Sequence, residues 1–171
     1  MPDRIFNALF ICTGNSARSI MAEAILNQLG GGRFRAFSAG SQPRGEVHPL
    51  TLQVLAEHAH DVSRLRSKGW NEFAGPGMPM MDFVFTVCDQ AAGEFCPAWP
   101  GQPVTAHWGF ADPVEVEGTA DERRAAFQAT HAAITRRLRL LCSLPIDKLD
   151  TLSLQRELTE LGRTADRRPA R

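Results

Sequence analysis

Apolar residues in this chain alternate between two patterns. Four short runs read as strands: 4–12 (RIFNALFIC), 34–38 (FRAFS), 82–88 (DFVFTVC) and 103–108 (PVTAHW). The run at 82–88 is continuous enough to be buried on both faces. Between the runs the spacing turns helical. At 18–29 Ile20, Ala24 and Leu29 share one side, and Gly30, Gly31 and Gly32 end the element. A second helix is expected from Pro49, a good first-turn residue, to about residue 58. A short one follows at 63–73, before the break at Gly75, Pro76 and Gly77. Phe127, Ile134, Leu138 and Leu141 mark a long helix over 120–144. A last helix over 147–162 stops at Gly162 and leads into a frayed tail. Its leucines suit either self-association or docking within the chain.

Strands alternating with helices predict an α/β fold with a parallel sheet covered on both faces. Ligands of such sheets bind beyond the carboxyl ends of the strands, and Cys12 and Cys88 both stand at such ends. The 171 residues fit one domain, 1–171, with 147–162 as a C-terminal helical extension.

Charge narrows the partners. Lys plus Arg number 19 and Asp plus Glu number 19, so no global charge points to nucleic acid or an anionic membrane, and any anion site must be local. There is no signal-like or membrane-spanning apolar stretch, and a cytoplasmic location is expected. In such a reducing compartment the four cysteines, Cys12, Cys88, Cys96 and Cys142, are reactive thiols or core residues rather than staples. With no CxxC pair and no close Cys/His cluster, no metal site is expected.

The chemistry concentrates in residues 12–19, CTGNSARS, at the first strand-to-helix junction. The small residues Thr13, Gly14, Asn15, Ser16 and Ala17 let the backbone wrap with its N–H groups inward. The helix that follows adds its positive end. Arg18 supplies a planar fork for two oxygens. Such a cradle holds a tetrahedral oxyanion and favours the thiolate of Cys12, so the sequence predicts a lowered thiol pKa. Ser19 is placed to donate to that thiolate and Asn15 to brace the loop.

Four stretches, FICTGNSARSIMAEAIL, FSAGSQPRGEVHP, TVCDQAAGEFCP and HWGFADP, resemble the low-molecular-weight tyrosine phosphatase superfamily, and within it the thiol-dependent arsenate reductases. The resemblance implies a flavodoxin-like three-layer sandwich with a four-stranded parallel sheet. It implies Cys12 as nucleophile, Arg18 with the 13–17 backbone and Ser19 as the oxyanion site, and Asp112, before Pro113, as general acid. Cys88 and Cys96 resemble the redox relay of the thioredoxin-coupled reductases, although seven residues separate them here, one more than the usual pattern. The implied reaction is arsenate reduction for arsenic resistance, with an external thiol reductant: thioredoxin, or glutaredoxin with glutathione. The alternative is hydrolysis of phosphotyrosine or a small phosphoester, which needs Cys12 but no relay. The chain has no tyrosine to wall a phosphotyrosine ring. A third reading is an oxyanion- or redox-sensing module without turnover, against which Cys12, Arg18 and Asp112 together argue.

No cofactor is required by this chemistry. Some members hold a potassium ion near the anion loop, and Asn15, Glu23 and Ser38 resemble part of that site. Cys142 and His131, at core spacing in the long helix, are read as packing residues, and His107 as a strand-end histidine outside the site.

Overall fold

The structure, a computed structural model, describes residues 4–88, 99 and 101–166. Four strands, β1 (Phe6–Cys12), β2 (Phe34–Gly40), β3 (Phe83–Thr86) and β4 (Val104–His107), form one sheet in the order β2-β1-β3-β4. Every neighbouring pair is parallel, with Cys12 opposite Gly40 and Ile11 opposite Thr86. Residues on both sides of β1 and β3 are buried, which requires cover on both faces. Phe10 stacks on Phe85 at 5.2 Å, and Phe85 meets Trp108 at 4.2 Å.

Among the described residues four α-helices supply the cover: α1 (Arg18–Leu29), α2 (Pro49–Glu57), α3 (Ala120–Ser143) and α4 (Thr151–Asp166). Their starts follow ordinary capping chemistry, with one exception. His48 accepts from Leu50 N–H ahead of Pro49, and Thr119 and Glu122 form a reciprocal capping box before α3. α1 has no capping side chain. Its first N–H groups therefore remain directed at the loop that precedes it.

Two expectations need correction. The helix predicted over 63–73 is only a 3-10 turn, Trp70–Phe73. The backbone of residue 68 is bonded elsewhere: its N–H donates to Asn15 Oδ1 and its carbonyl accepts from Gly40 N–H, both at 2.9 Å. The last helix starts and ends later than 147–162. Ile146–Lys148 form a separate 3-10 turn, and Asp150 accepts from Ser153 N–H at 2.7 Å, as a helix cap does. Gly162 is not a stop. A Cβ there would lie 2.4 Å from the His107 carbonyl, so the glycine lets α4 approach β4 closely.

The strand order reverses direction at β1 and β3, since the chain leaves β1 towards β2 and later returns to the other side. The crevice above that reversal is where such folds bind ligands. Cys12 closes β1 and Cys88 lies two residues beyond β3, both at this point.

Candidate active site

The loop 13–17 is held from outside by its carbonyls. The Thr13 carbonyl accepts from Gln42 N–H, Gly14 from Arg44 N–H, both at 2.9 Å, and Ser16 from His48 N–H at 3.0 Å. Thr51 Oγ1 also donates to Ser16 O, and Ser67 Oγ to Gly14 O. Because peptide units are planar, carbonyls drawn outward turn the intervening N–H groups inward. Asn15 shows the result, its N–H donating to Cys12 Sγ at 3.2 Å. Asn15 has a φ of 44°, in the left-handed region that Asn tolerates better than most residues.

Cys12 Sγ and Ser19 Oγ share a hydrogen bond of 2.8 Å. The Asn15 amide donates to the same hydroxyl oxygen at 2.7 Å. When Cys12 is a thiolate its sulfur has no hydrogen to give, so Ser19 O–H is the donor of this bond and stabilises the anion. Even so, burial pushes the Cys12 thiol up from its ordinary value. The Ser19 side-chain and backbone hydrogen bonds pull it down, a charge on Cys88 pushes it up, and Arg18 pulls it down more weakly. The sequence predicted the opposite direction. Cys12 is only 3% exposed, and the guanidinium of Arg18 is shared with an acid.

That acid is Asp112. Arg18 Nη2 lies 3.3 Å from Asp112 Oδ2, and Arg18 Nη1 donates to the Phe110 carbonyl at 3.0 Å. The other oxygen, Asp112 Oδ1, accepts from Val114 N–H at 3.0 Å, capping the turn Pro113–Glu115. The structure thus brings Cys12, Arg18, Ser19, Asn15 and Asp112 to one place. Nothing in the sequence pattern signalled the Phe110 carbonyl. Arg44 was likewise missed, although its side chain lies against Gly14. Burial pushes the His48 pKa down, the charges of Arg123 and Arg44 add to that, and Asp112 opposes it.

Cys88 is buried and stands at the same mouth, its Sγ 3.5 Å from Thr13 Oγ1. Cys12, Cys88 and Cys142 are thiols, not disulfides. Cys96 lies outside the described residues. Cys142 is elsewhere: its carbonyl accepts from Arg33, whose own carbonyl accepts from Phe6 N–H at the opposite end of the sheet. His131 is buried against His58 and His60, and exposed His107 bonds Thr86. Among the described residues no cluster of three His, Cys, Asp or Glu side chains suits a metal ion, and no described helix is long and apolar enough to cross a membrane.

A buried lysine beside the loop was not foreseen. Lys68 Nζ lies 3.5 Å from Glu23 Oε1 and 3.4 Å from Ser38 Oγ, and Ser38 Oγ donates to Glu23 Oε1 at 2.5 Å. No periodicity or motif marked Lys68, which sits in the stretch expected to be helical.

Residues 7–157 match the family described as low molecular weight phosphotyrosine protein phosphatase. The chain belongs to that family. An arsenate reductase of Halalkalibacterium halodurans is 35% identical over 130 residues, covering 76% of this chain and 90% of its own. A thioredoxin-dependent arsenate reductase of Corynebacterium glutamicum has a structure with TM-score 0.54 and 26% identity, matching 82% of this chain and 65% of its own length. An arsenate reductase in a phosphate-binding state gives TM-score 0.63 over 81% of this chain and 98% of that one. At 24% identity that likeness speaks for the low-molecular-weight phosphatase fold alone. Within the family's fold, the 13–17 loop and the Cys88 thiol occupy the crevice that the strand order creates.

Proposed function

We propose that this low-molecular-weight phosphatase family member reduces arsenate to arsenite, using Cys12 and a cysteine relay, in arsenic detoxification. The observation that carries the reading is a second buried thiol, Cys88, at the mouth of the anion loop and in contact with Thr13. Phosphoester hydrolysis has no use for it. The similarity to curated arsenate reductases over three quarters of the chain supports the same reading.

The chemistry runs in balanced steps. Arsenate enters the cradle, its oxygens facing the loop N–H groups and the fork of Arg18. The Cys12 thiolate attacks arsenic, a sulfur–arsenic bond forms, and one oxygen leaves as water after Asp112 delivers a proton. The Cys88 thiolate then attacks Cys12 Sγ. A disulfide forms, and the electron pair of the sulfur–arsenic bond goes to arsenic, which departs as arsenite. Arsenic gains two electrons and two thiols lose them. Cys96 next attacks Cys88, freeing Cys12 and moving the disulfide to Cys88–Cys96. An external thiol reductant, thioredoxin or glutaredoxin with glutathione, resets the pair. The cycle starts from reduced thiols, which suits a cytoplasmic setting.

A single turnover tests this. Fully reduced protein is mixed with arsenate and no external reductant, and arsenite and thiols are counted. About one arsenite per chain, with two thiols lost, is expected from one disulfide per cycle. Cys12→Ser and Cys88→Ser should each release none. Arsenite appearing only with glutathione and glutaredoxin would remove the relay. No arsenite under either condition, with brisk cleavage of an aryl phosphate, would mark a phosphatase instead.

A further inference from the structure

The ammonium of Lys68 takes no part in these steps, yet Lys68 is only 8% exposed. A buried cation persists only where a counter-charge and hydrogen bonds meet it. Both are present: the Glu23 carboxylate and Ser38 hydroxyl on one side, and the Arg66 carbonyl, which accepts from Nζ at 2.9 Å, on the other. Burial pushes the Lys68 pKa down, and the Glu23 charge opposes it.

These groups connect to the nucleophile. Lys68 N–H donates to Asn15 Oδ1, which fixes the orientation of that amide. The amide's nitrogen end then donates to Ser19 Oγ, and Ser19 is bonded to Cys12. The side chain of residue 68 anchors in α1 and β2, through Glu23 and Ser38, while its backbone orders the loop. Displacing the ammonium would therefore loosen the amide that sets the Ser19 hydroxyl.

Glu23 and Ser38 are among the residues whose resemblance suggested a potassium site. They do not fit one here. The Glu23 and Ser38 oxygens already face a unit positive charge within 3.5 Å, and a second cation between them would meet strong like-charge repulsion in a poorly solvated pocket.

We propose that Lys68 is a positioning residue standing in for a monovalent cation: its ammonium neutralises Glu23, and its backbone N–H orders the Asn15–Ser19–Cys12 chain. The proposal rests on Cys12 being the reacting thiol, not on which oxyanion it attacks.

The test reads Cys12 alkylation by iodoacetamide as a function of pH, with the Cys12 peptide quantified by mass spectrometry. It needs no turnover, so it stands apart from the arsenite assay. Wild-type profiles in potassium, sodium and choline chloride at equal ionic strength should coincide. Lys68→Ala in choline should react about tenfold more slowly near neutral pH, a shift of about one pH unit, and potassium should recover part of the rate by entering the vacated position. Potassium acceleration of the wild type would overturn the proposal, and that arm requires no variant to fold. A Lys68→Ala profile overlying the wild type would overturn it too. So would a shift that potassium leaves unmoved, which would make Lys68 merely structural.

Discussion

Ser19 carries more than its size suggests. It receives from Asn15 and faces Cys12, so it converts loop geometry into thiolate stability. Ser19→Ala removes the largest effect opposing burial on the Cys12 thiol. The thiol pKa should rise further, and kcat/KM for arsenate at pH 7 should fall about 10-fold to 100-fold, in keeping with one lost charge-assisted hydrogen bond. The sign is checkable, because a raised thiol pKa is partly offset at higher pH, so the deficit should shrink between pH 7 and pH 9. At this scale the sequence was informative where chemistry is local. Cys12, Arg18 and Ser19 sit within eight residues, and their spacing alone implied their meeting. Lys68 was invisible because its partners, Asn15, Glu23 and Ser38, lie 30 or more residues away, and no local pattern encodes such a contact.

Among the elements, α1 was read correctly from end to end, since the glycines that stop it and the loop that starts it are both local signals. The stretch 63–73 was misread because tertiary bonds to Asn15 and Gly40 claimed its backbone. Gly162 was taken for a helix end, whereas it is a contact. Trp108 Nε1 donates to the Leu158 carbonyl at 2.9 Å, and fully buried Leu158 completes the seam between α4 and β4. Gly162→Ala places a methyl group 2.4 Å from the His107 carbonyl and 3.0 Å from Trp108 Cδ1. The gain in helix propensity, about 1 kcal/mol, is smaller than the cost of overpacking against a rigid strand, about 1–3 kcal/mol. Urea unfolding should therefore show a net loss of stability with an unchanged m-value. A gain would show that α4 is free to slide.

Across the whole molecule, three histidines link the end of α2 to α3. His58 stacks on His131 at 4.0 Å, and His60 Nε2 lies 3.0 Å from His131 Nε2. Burial, with the charges of His58 and His60 adding to it, pushes His131 down to about 4. The folded state thus disfavours protonation of His131 and His60, while in the unfolded chain they protonate near pH 6.5. Stability from this cluster is complete above about pH 6.5 and is lost as the pH falls towards 4. After solvent screening the loss is about 1–2 kcal/mol. Urea midpoints at pH 7.5 and pH 5 should differ accordingly, and His131→Phe should flatten the dependence. An equal pH dependence in that variant would place the effect in carboxylates instead.

The sequence by itself determined most of the elements, the parallel sheet they imply, and the small-residue loop that follows Cys12, because periodicity, caps and a short motif are all written within a few residues of one another. Tertiary structure decided the strand order, the pairing of Arg18 with Asp112, and the approach of Cys88 to Thr13. It also set the direction of the Cys12 pKa, since burial depends on everything that packs above a residue and a motif carries no record of depth. The ammonium of Lys68 beneath the loop is of the same kind. A charge buried between α1 and β2 is defined by distances in space that the order of residues does not state.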